Sequence, residues 1–344
     1  MTILVTGGAG YIGSHTCVEL LVSGYDIIVV DNLSNSKRES INRIQEVTGK
    51  EFRFYQEDIL DIDALSLIFL ENKIDAVIHF AGLKAVGESV SPSLWHYYNN
   101  IAGTVRLCEV MKNYNVKKLV FSSSATVYGI PDSLPISEEY PLGATHPYGR
   151  TKQMIEEILR DLYQSDYEWS VALLRYFNPI GAHKSGRMGE DPAGIPNNLL
   201  LYISQVALGH LDELKVYGND YPTKDGTGVR DYVHVADLAI ANRKALEKVF
   251  DSKGVDAYNL GTGTGYSVLE MISAFEKVSG RKIPYRMVGR RPDDRGICYA
   301  NPAKAKYELG WSARRGLEEM CQDSWRWQLN NPKGYSEMTK VLLD

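Results

Sequence analysis

In the first half of the chain, short runs of apolar and β-branched residues alternate with longer stretches of mixed polarity. Residues 2–5, Thr-Ile-Leu-Val, and 27–31, Ile-Ile-Val-Val-Asp, are apolar enough to be strands buried on both faces. Runs at 52–55, 76–80, 119–122 and 170–175 read the same way and bring the strands to six. Between them lie helical patterns: an amphipathic segment at 11–23, then 39–48, 61–72, a long stretch at 95–114, and 148–163. Such alternation predicts an α/β fold, a doubly wound parallel sheet with right-handed crossovers. Beyond residue 176 the pattern breaks into Pro, Gly and Asn clusters, among them Asn178-Pro-Ile-Gly181, Ile195-Pro-Asn-Asn198 and the loop at 218–228. Short elements between such loops suit a smaller C-terminal α+β region closing over the first.

The turn after the first strand carries glycines at 7, 10 and 13. A dinucleotide pyrophosphate must approach backbone N–H groups at a helix N-terminus, and β-carbons there would block it. Asp31, closing the second strand, is placed to accept hydrogen bonds from the adenosine ribose, and its charge would repel a 2′-phosphate, which favours NAD over NADP. A glycine triplet alone is a weak signal; strand, turn, helix, strand and acid in register make it specific. On this reading residues 1–176 form a NAD-binding Rossmann domain and 177–344 a substrate domain, with part of 231–255 packing back on the first.

A net charge of -5 without blocks of Lys or Arg argues against non-specific nucleic-acid binding, so anionic ligands must be met by a few placed residues. The cysteines at 17, 108, 298 and 321 show no CxxC pairing and the seven histidines no ligand spacing, so neither a disulfide framework nor a metal site is expected. With its first strand beginning at residue 2 and no long apolar run, the chain reads as cytoplasmic, without a membrane span.

Two stretches carry chemistry. Ser122-Ser-Ser-Ala-Thr-Val-Tyr-Gly129 lies at the carboxyl end of a strand, where open parallel sheets bind ligands, and Pro147-Tyr-Gly-Arg-Thr-Lys152 opens a helix. The i, i+4 spacing puts Tyr148 and Lys152 on one helix face. A phenol of pKa about 10 is a poor base at neutral pH. An ammonium roughly 4 Å away, at an effective dielectric near 20, contributes about 4 kcal/mol, enough to bring the phenol near neutrality. A second YxxxK, from Tyr114 to Lys118, straddles a helix end and a strand and reads as surface.

Here the chain resembles the extended short-chain dehydrogenase/reductase superfamily and, within it, the UDP-sugar 4-epimerases. The resemblance runs nearly end to end, through the glycine loop, Phe80-Ala-Gly-Leu-Lys84, the 122–129 and 148–152 blocks, Arg175-Tyr-Phe-Asn178, Asp225-Gly-Thr-Gly-Val-Arg-Asp-Tyr232 and Gly289-Arg-Arg-Pro292. It implies that NAD is held by Gly7, Gly10, Tyr11, Ile12, Gly13, Asp31, Asn32, Asn35, Ser36, Asp58, Ile59, Phe80, Ala81, Lys84, Asn99, Ser122, Tyr148, Lys152 and Tyr176. It makes Ser124, Tyr148 and Lys152 catalytic, and assigns the UDP-sugar to Lys84, Ser124, Tyr148, Asn178, Asn198, Leu199, Tyr217, Arg230, Tyr232, Arg291, Asp294 and Cys298. The implied activity is the interconversion of UDP-glucose and UDP-galactose through a 4-keto intermediate, with NAD retained between turnovers. Arg230 and Arg291 suit charge-assisted contacts to a diphosphate.

The rivals share parts of this pattern. Nucleotide-sugar 4,6-dehydratases and decarboxylases have the tyrosine and lysine, but dehydratases place an Asp-Glu pair where this chain has Ala125 and Thr126, which cannot do acid-base work near neutrality. A non-catalytic NAD-binding sensor would not need Ser124, Tyr148 and Lys152 together. At position 298 the narrow glucose/galactose pattern has a bulky tyrosine; Cys298 leaves room for an acetamido group, which points to UDP-N-acetylglucosamine and UDP-N-acetylgalactosamine as further substrates, unless neighbouring Tyr299 fills the gap. The resemblance also implies a homodimer paired through helices 95–114 and 148–163.

Overall fold

The computed structural model describes residues 1–84, 93–129, 133–192, 198–291 and 295–335. Its centre is a sheet of seven parallel strands: β1 (Thr2–Thr6), β2 (Asp26–Val30), β3 (Arg53–Tyr55), β4 (Ala76–His79), β5 (Lys118–Ser124), β6 (Ser170–Tyr176) and, at one edge, Gly254–Leu260. Across the sheet the order is Gly254–Leu260, β6, β5, β4, β1, β2, β3. The winding reverses between β1 and β4, and a crevice opens there at the carboxyl ends. Side-chain alternation sends Ile3, Val5, Ile27 and Val29 into one core layer and Leu4, Ile28 and Val30 into the other, so these strands are apolar throughout.

Three sequence readings need correction. The sheet has a seventh strand, one more than the pattern predicts. Gly-Val-Asp-Ala-Tyr-Asn-Leu is interrupted by Asp256 and Asn259, and the strand pairs only with β6, in register Gly254 with Ser170 through Leu260 with Tyr176. Next, helix Tyr11–Val22 is not amphipathic in its setting: residues 13 to 18 are all buried, because helix Val235–Asp251 packs across it. Lastly, the stretch at 95–114 is not one α-helix. It runs as Ser93–Tyr97, a π turn Tyr98–Ala102 and Gly103–Asn113, with Asn99 and Asn100 of the π turn buried. A Cβ on Gly103 would lie 2.5 Å from Ile59 Cδ1, so glycine allows this close approach.

The remaining strands Asn178–Ile180, Val229–His234, Gly265–Ser267 and Ile297–Cys298 form a four-stranded mixed sheet, and Leu214–Tyr217 pairs with Tyr285–Val288. Ile180, Ile203, Tyr232, Phe275 and Trp325 make a separate core between this sheet and helices Leu199–Ala207, Val268–Ser279 and Leu317–Asn330. Among the described residues no helix is long and apolar enough to cross a membrane, and no cluster of side chains could hold a metal ion.

Candidate active site

The glycine turn leaves space only for backbone. Gly7 has φ of 70°, and a Cβ there would lie 2.6 Å from Ala81 N; on Gly13 it would lie 2.3 Å from Gly7 O. Phe80 and Ala81 close the other side, their N–H groups donating to Thr6 O at 2.9 and 3.2 Å. Beyond β2, Asp31 accepts from Ala9 N at 3.0 Å, Leu33 N at 2.9 Å and Ser36 Oγ at 2.8 Å, which fixes an acidic group beside the turn. Asn32 donates to Asp58 at 2.9 Å, and Asn35 lies in the same polar loop before helix Arg38–Thr48. Ile12 opens the first helix next to Tyr11, whose hydroxyl donates to Gly181 O at 2.6 Å and so ties the turn to the second region. A bare backbone cradle at a helix N-terminus with one acid beside it fits a dinucleotide pyrophosphate and ribose.

Ser122 and Ser124 end β5, and Ser124 pairs in register with Tyr176 at the end of β6. Helix Pro147–Ser165 starts close by because Pro147 suits the first turn and His146 Nδ1 accepts from Gly149 N at 3.1 Å. The Ser124 side chain lies near enough to the Tyr148 phenol to favour its ionised form, against the larger opposing effect of burial. Thr126 donates to Ser124 Oγ from its hydroxyl at 3.0 Å and its N–H at 3.3 Å, which leaves the serine proton for another acceptor.

Lys152 departs from the sequence expectation. Its ammonium is 5.9 Å from the Tyr148 ring centre and 4.7 Å from that of Phe121, and it donates to Ser122 O at 2.6 Å. Burial pushes the Tyr148 phenol up to about 12, against the smaller pull of Ser124, so the lysine does not make it acidic in the chain alone. Burial also brings Lys152 down to about 8, with Glu156 opposing. The other YxxxK is broken as expected: helix Gly103–Asn113 ends before Tyr114, and Lys118 begins β5.

Three residues that sequence reasoning missed hold this arrangement. Asn100 donates to Leu83 O at 3.0 Å and Thr151 Oγ1 at 3.1 Å and accepts from Leu83 N and from Asn99, joining the loop after β4 to the catalytic helix. Thr151 donates to Tyr148 O at 2.7 Å. Glu156, one turn beyond Lys152 and fully buried, accepts from Ser123 Oγ at 2.5 Å and from Arg175 at 3.0 and 2.6 Å. The i, i+4 step from Lys152 was its only signal in the sequence.

Across the crevice, Asn178 is exposed and pairs in register with buried Tyr232. Asn198 caps helix Leu199–Ala207 through Leu200 N at 3.1 Å and donates to Pro179 O and Glu190. Lys84 pairs with Glu190 at 2.8 Å. Arg230 donates to Val229 O and Arg295 O at 2.8 Å each and sits in register with Cys298, while the Arg291 guanidinium lies 5.1 Å over the Tyr217 ring. Asp294 lies outside the described residues.

A family model described as GDP-mannose 4,6 dehydratase matches residues 4–324. A UDP-glucose 4-epimerase of Bacillus subtilis (strain 168) is 69% identical over 335 residues, covering 97% of this chain and 99% of that protein. The chain belongs to the UDP-glucose 4-epimerase family. A crystal structure of the Bifidobacterium longum UDP-glucose 4-epimerase in complex with NAD+ and UDP is 54% identical, with a TM-score of 0.94 over 97% of this chain and 100% of that one. A UDP-Glc/GlcNAc 4-epimerase from Campylobacter jejuni is 36% identical, with a TM-score of 0.84 over 96% of this chain and 99% of that one. Within a 4-epimerase, Ala125 and Thr126 need no acid-base role, and the dehydratase reading loses its footing. Ala125 packs with Val127, Phe177 and Cys298, and the Thr126 hydroxyl serves Ser124.

Proposed function

We propose that Tyr148, Ser124 and Lys152 carry the interconversion of UDP-glucose and UDP-galactose in this chain, passing through a 4-keto sugar. The observation that carries the assignment is the placement of Ser124 at the end of β5 and of Tyr148 and Lys152 at the start of helix Pro147–Ser165, with Lys152 Nζ donating to Ser122 O at 2.6 Å, beside a backbone cradle suited to NAD. When bound, NAD would supply the two-electron acceptor for the sugar C4 hydrogen, together with the positive charge of its oxidised ring. Gly7, Gly10, Gly13, Asp31, Asn32, Asp58, Lys84 and Lys152 would hold it. Tyr148 Oη takes the proton from the sugar 4′-hydroxyl and returns it, and Ser124 Oγ donates to the same oxygen. Lys84, which the resemblance gives to both ligands, joins Asn178, Asn198, Arg230 and Arg291 in holding the nucleotide while the keto sugar turns its other face. Incubating the purified, NAD-loaded protein with UDP-galactose and assaying UDP-glucose tests this; no conversion rejects it.

The buried ammonium of Lys152 costs stability. Up to about pH 8 folded and unfolded chains both carry its proton, and the burial penalty is present in full. From there to the ordinary value of 10.5 the folded chain releases a proton that the unfolded chain keeps, so this group makes stability rise with pH. Lys152→Met should therefore be inactive yet more stable than the wild type at pH 7 by about 1–3 kcal/mol, with the gap closing towards pH 10. Urea unfolding at pH 7 and pH 10 checks it, and a variant less stable at pH 7 contradicts it.

N-acetylated UDP-sugars belong in the same proposal. Cys298 is buried in one apolar cluster with Ala125 and Phe177, whereas the Tyr299 ring lies towards Gly265, 3.6 Å from where a Cβ on that glycine would be. Both observations favour an open gate at 298, and the Campylobacter relative is named for both sugar types. Cys298→Tyr should lower turnover of UDP-N-acetylgalactosamine by roughly 10–200-fold and spare UDP-galactose. Equal turnover of the N-acetyl sugar by both forms would place the gate elsewhere.

A homodimer is the further part of this reading. Leu94, Trp95, Tyr98, Val105 and Met154 are 83, 52, 50, 43 and 42% exposed on neighbouring helices, an apolar surface suited to a second copy across a two-fold axis. Sedimentation velocity should give a species of twice the chain mass, and a lone monomer at micromolar concentration argues against it. Four unpaired, buried cysteines suit a reducing, cytoplasmic setting.

A further inference from the structure

Glu190 stands between two residues that the site would turn towards anionic ligands. One carboxylate oxygen accepts from Lys84 Nζ at 2.8 Å, and the other from Asn198 Nδ2 at 3.2 Å. The side chain is 12% exposed against 46% for Lys84, so the acid is the more enclosed partner of the two. Trp327 Nε1 donates to the Glu190 carbonyl at 3.3 Å and holds its backbone. The flanking residues are pinned to the first region by ion pairs of 2.7 Å: Arg187 with Glu46 and Asp191 with Lys37. Burial holds the Tyr11 phenol well above its ordinary value, and the nearby Glu190 carboxylate adds to the rise.

A fixed, nearly buried anion is an unexpected occupant for a crevice that must receive diphosphates in a chain of net charge -5. Like charges at close range oppose each other, so a phosphate arriving at Lys84 and Asn198 must either displace the carboxylate from them or share them with it. We propose that Glu190 is an internal counter-anion, a positioning residue that keeps Lys84 and Asn198 in place without ligand and yields them to the UDP-sugar. Its charge thereby weakens the hold on UDP-sugars and lets them leave. The inference rests on the assignment of Lys84 and Asn198 to the ligand site made above. A reaction that must turn a keto sugar over within the site gains from a nucleotide held no more tightly than turnover requires.

Glu190→Gln and Glu190→Ala, both NAD-loaded, test it by calorimetric titration with UDP. Both should bind UDP about tenfold tighter than the wild type at low ionic strength, with the difference shrinking at high salt, and should lower KM for UDP-galactose without raising kcat. A carboxylate that only props the lysine would weaken UDP in both variants, and unchanged or weaker binding overturns the proposal. Wild-type protein that interconverts the UDP-sugars while its variants fail to tighten rejects Glu190 alone. Wild-type protein that binds no UDP rejects the ligand site with it.

Discussion

Tyr148→Phe should reduce the turnover of UDP-galactose by about 10²–10⁴-fold, the usual contribution of a positioned acid-base group, while leaving NAD bound and the fold intact. The phenol lies at the first turn of helix Pro147–Ser165, and removing its oxygen changes the side chain by one atom without opening a large cavity. Because the chain alone holds this phenol at about 12, the acidity needed for catalysis must come from charge introduced with the ligands and not from Lys152 by itself. Removing the hydroxyl therefore takes away a group whose work is confined to the transition state, and kcat should fall with little change in KM. Steady-state kinetics with UDP-galactose, alongside release and quantification of bound NAD, checks both parts. A phenylalanine variant turning over at near the wild-type rate would falsify the role given to Tyr148.

Glu156→Ala should destabilise the fold by about 3–5 kcal/mol, because it strands a buried guanidinium. Glu156 and Arg175 are 0 and 2% exposed and pair at 2.6 Å. Arg175 also donates to Tyr128 OH at 2.8 Å and Glu138 O at 3.2 Å; Tyr128 donates to Asn259, and Asn259 donates to Ile136 O. One ion pair thus joins β5, the catalytic helix, β6, the edge strand and the loop at 136–138. Loss of the carboxylate frees Ser123 and removes the group that opposes the loss of Lys152's proton, so activity should fall in the same variant at temperatures where it remains folded. Urea denaturation gives the stability. A variant within 1 kcal/mol of the wild type would mean that Arg175 finds another partner or water.

Much of the first region was legible because its signals are local. A parallel strand buried on both faces must be apolar along its length, and a turn that backbone has to approach must be glycine; both constraints are visible at residues 2–13 and 26–31. The edge strand Gly254–Leu260 was not visible, since it follows a long excursion through the second region and its first three residues are only half-buried. The π turn at Tyr98–Ala102 was hidden for another reason. It is set by Gly103 pressing against Ile59 and by Asn100 reaching the loop after β4 and the catalytic helix, contacts between residues distant in sequence.

Sequence alone therefore determined the order of the first six strands of the sheet and the cradle for a dinucleotide, because each follows from periodicity or from a steric demand within a few residues, whereas the pairing of Ser124 with Tyr148 came from the resemblance to a known family. Tertiary structure decided where the charges act. It directed Lys152 to Ser122 O and not to the phenol, gave Lys84 and Asn198 a common carboxylate in Glu190, and buried Arg175 on Glu156. The strength of an ionic group depends on its distance from partners and from water, and only folding brings residues 84, 190 and 198, or 122 and 152, within reach of one another.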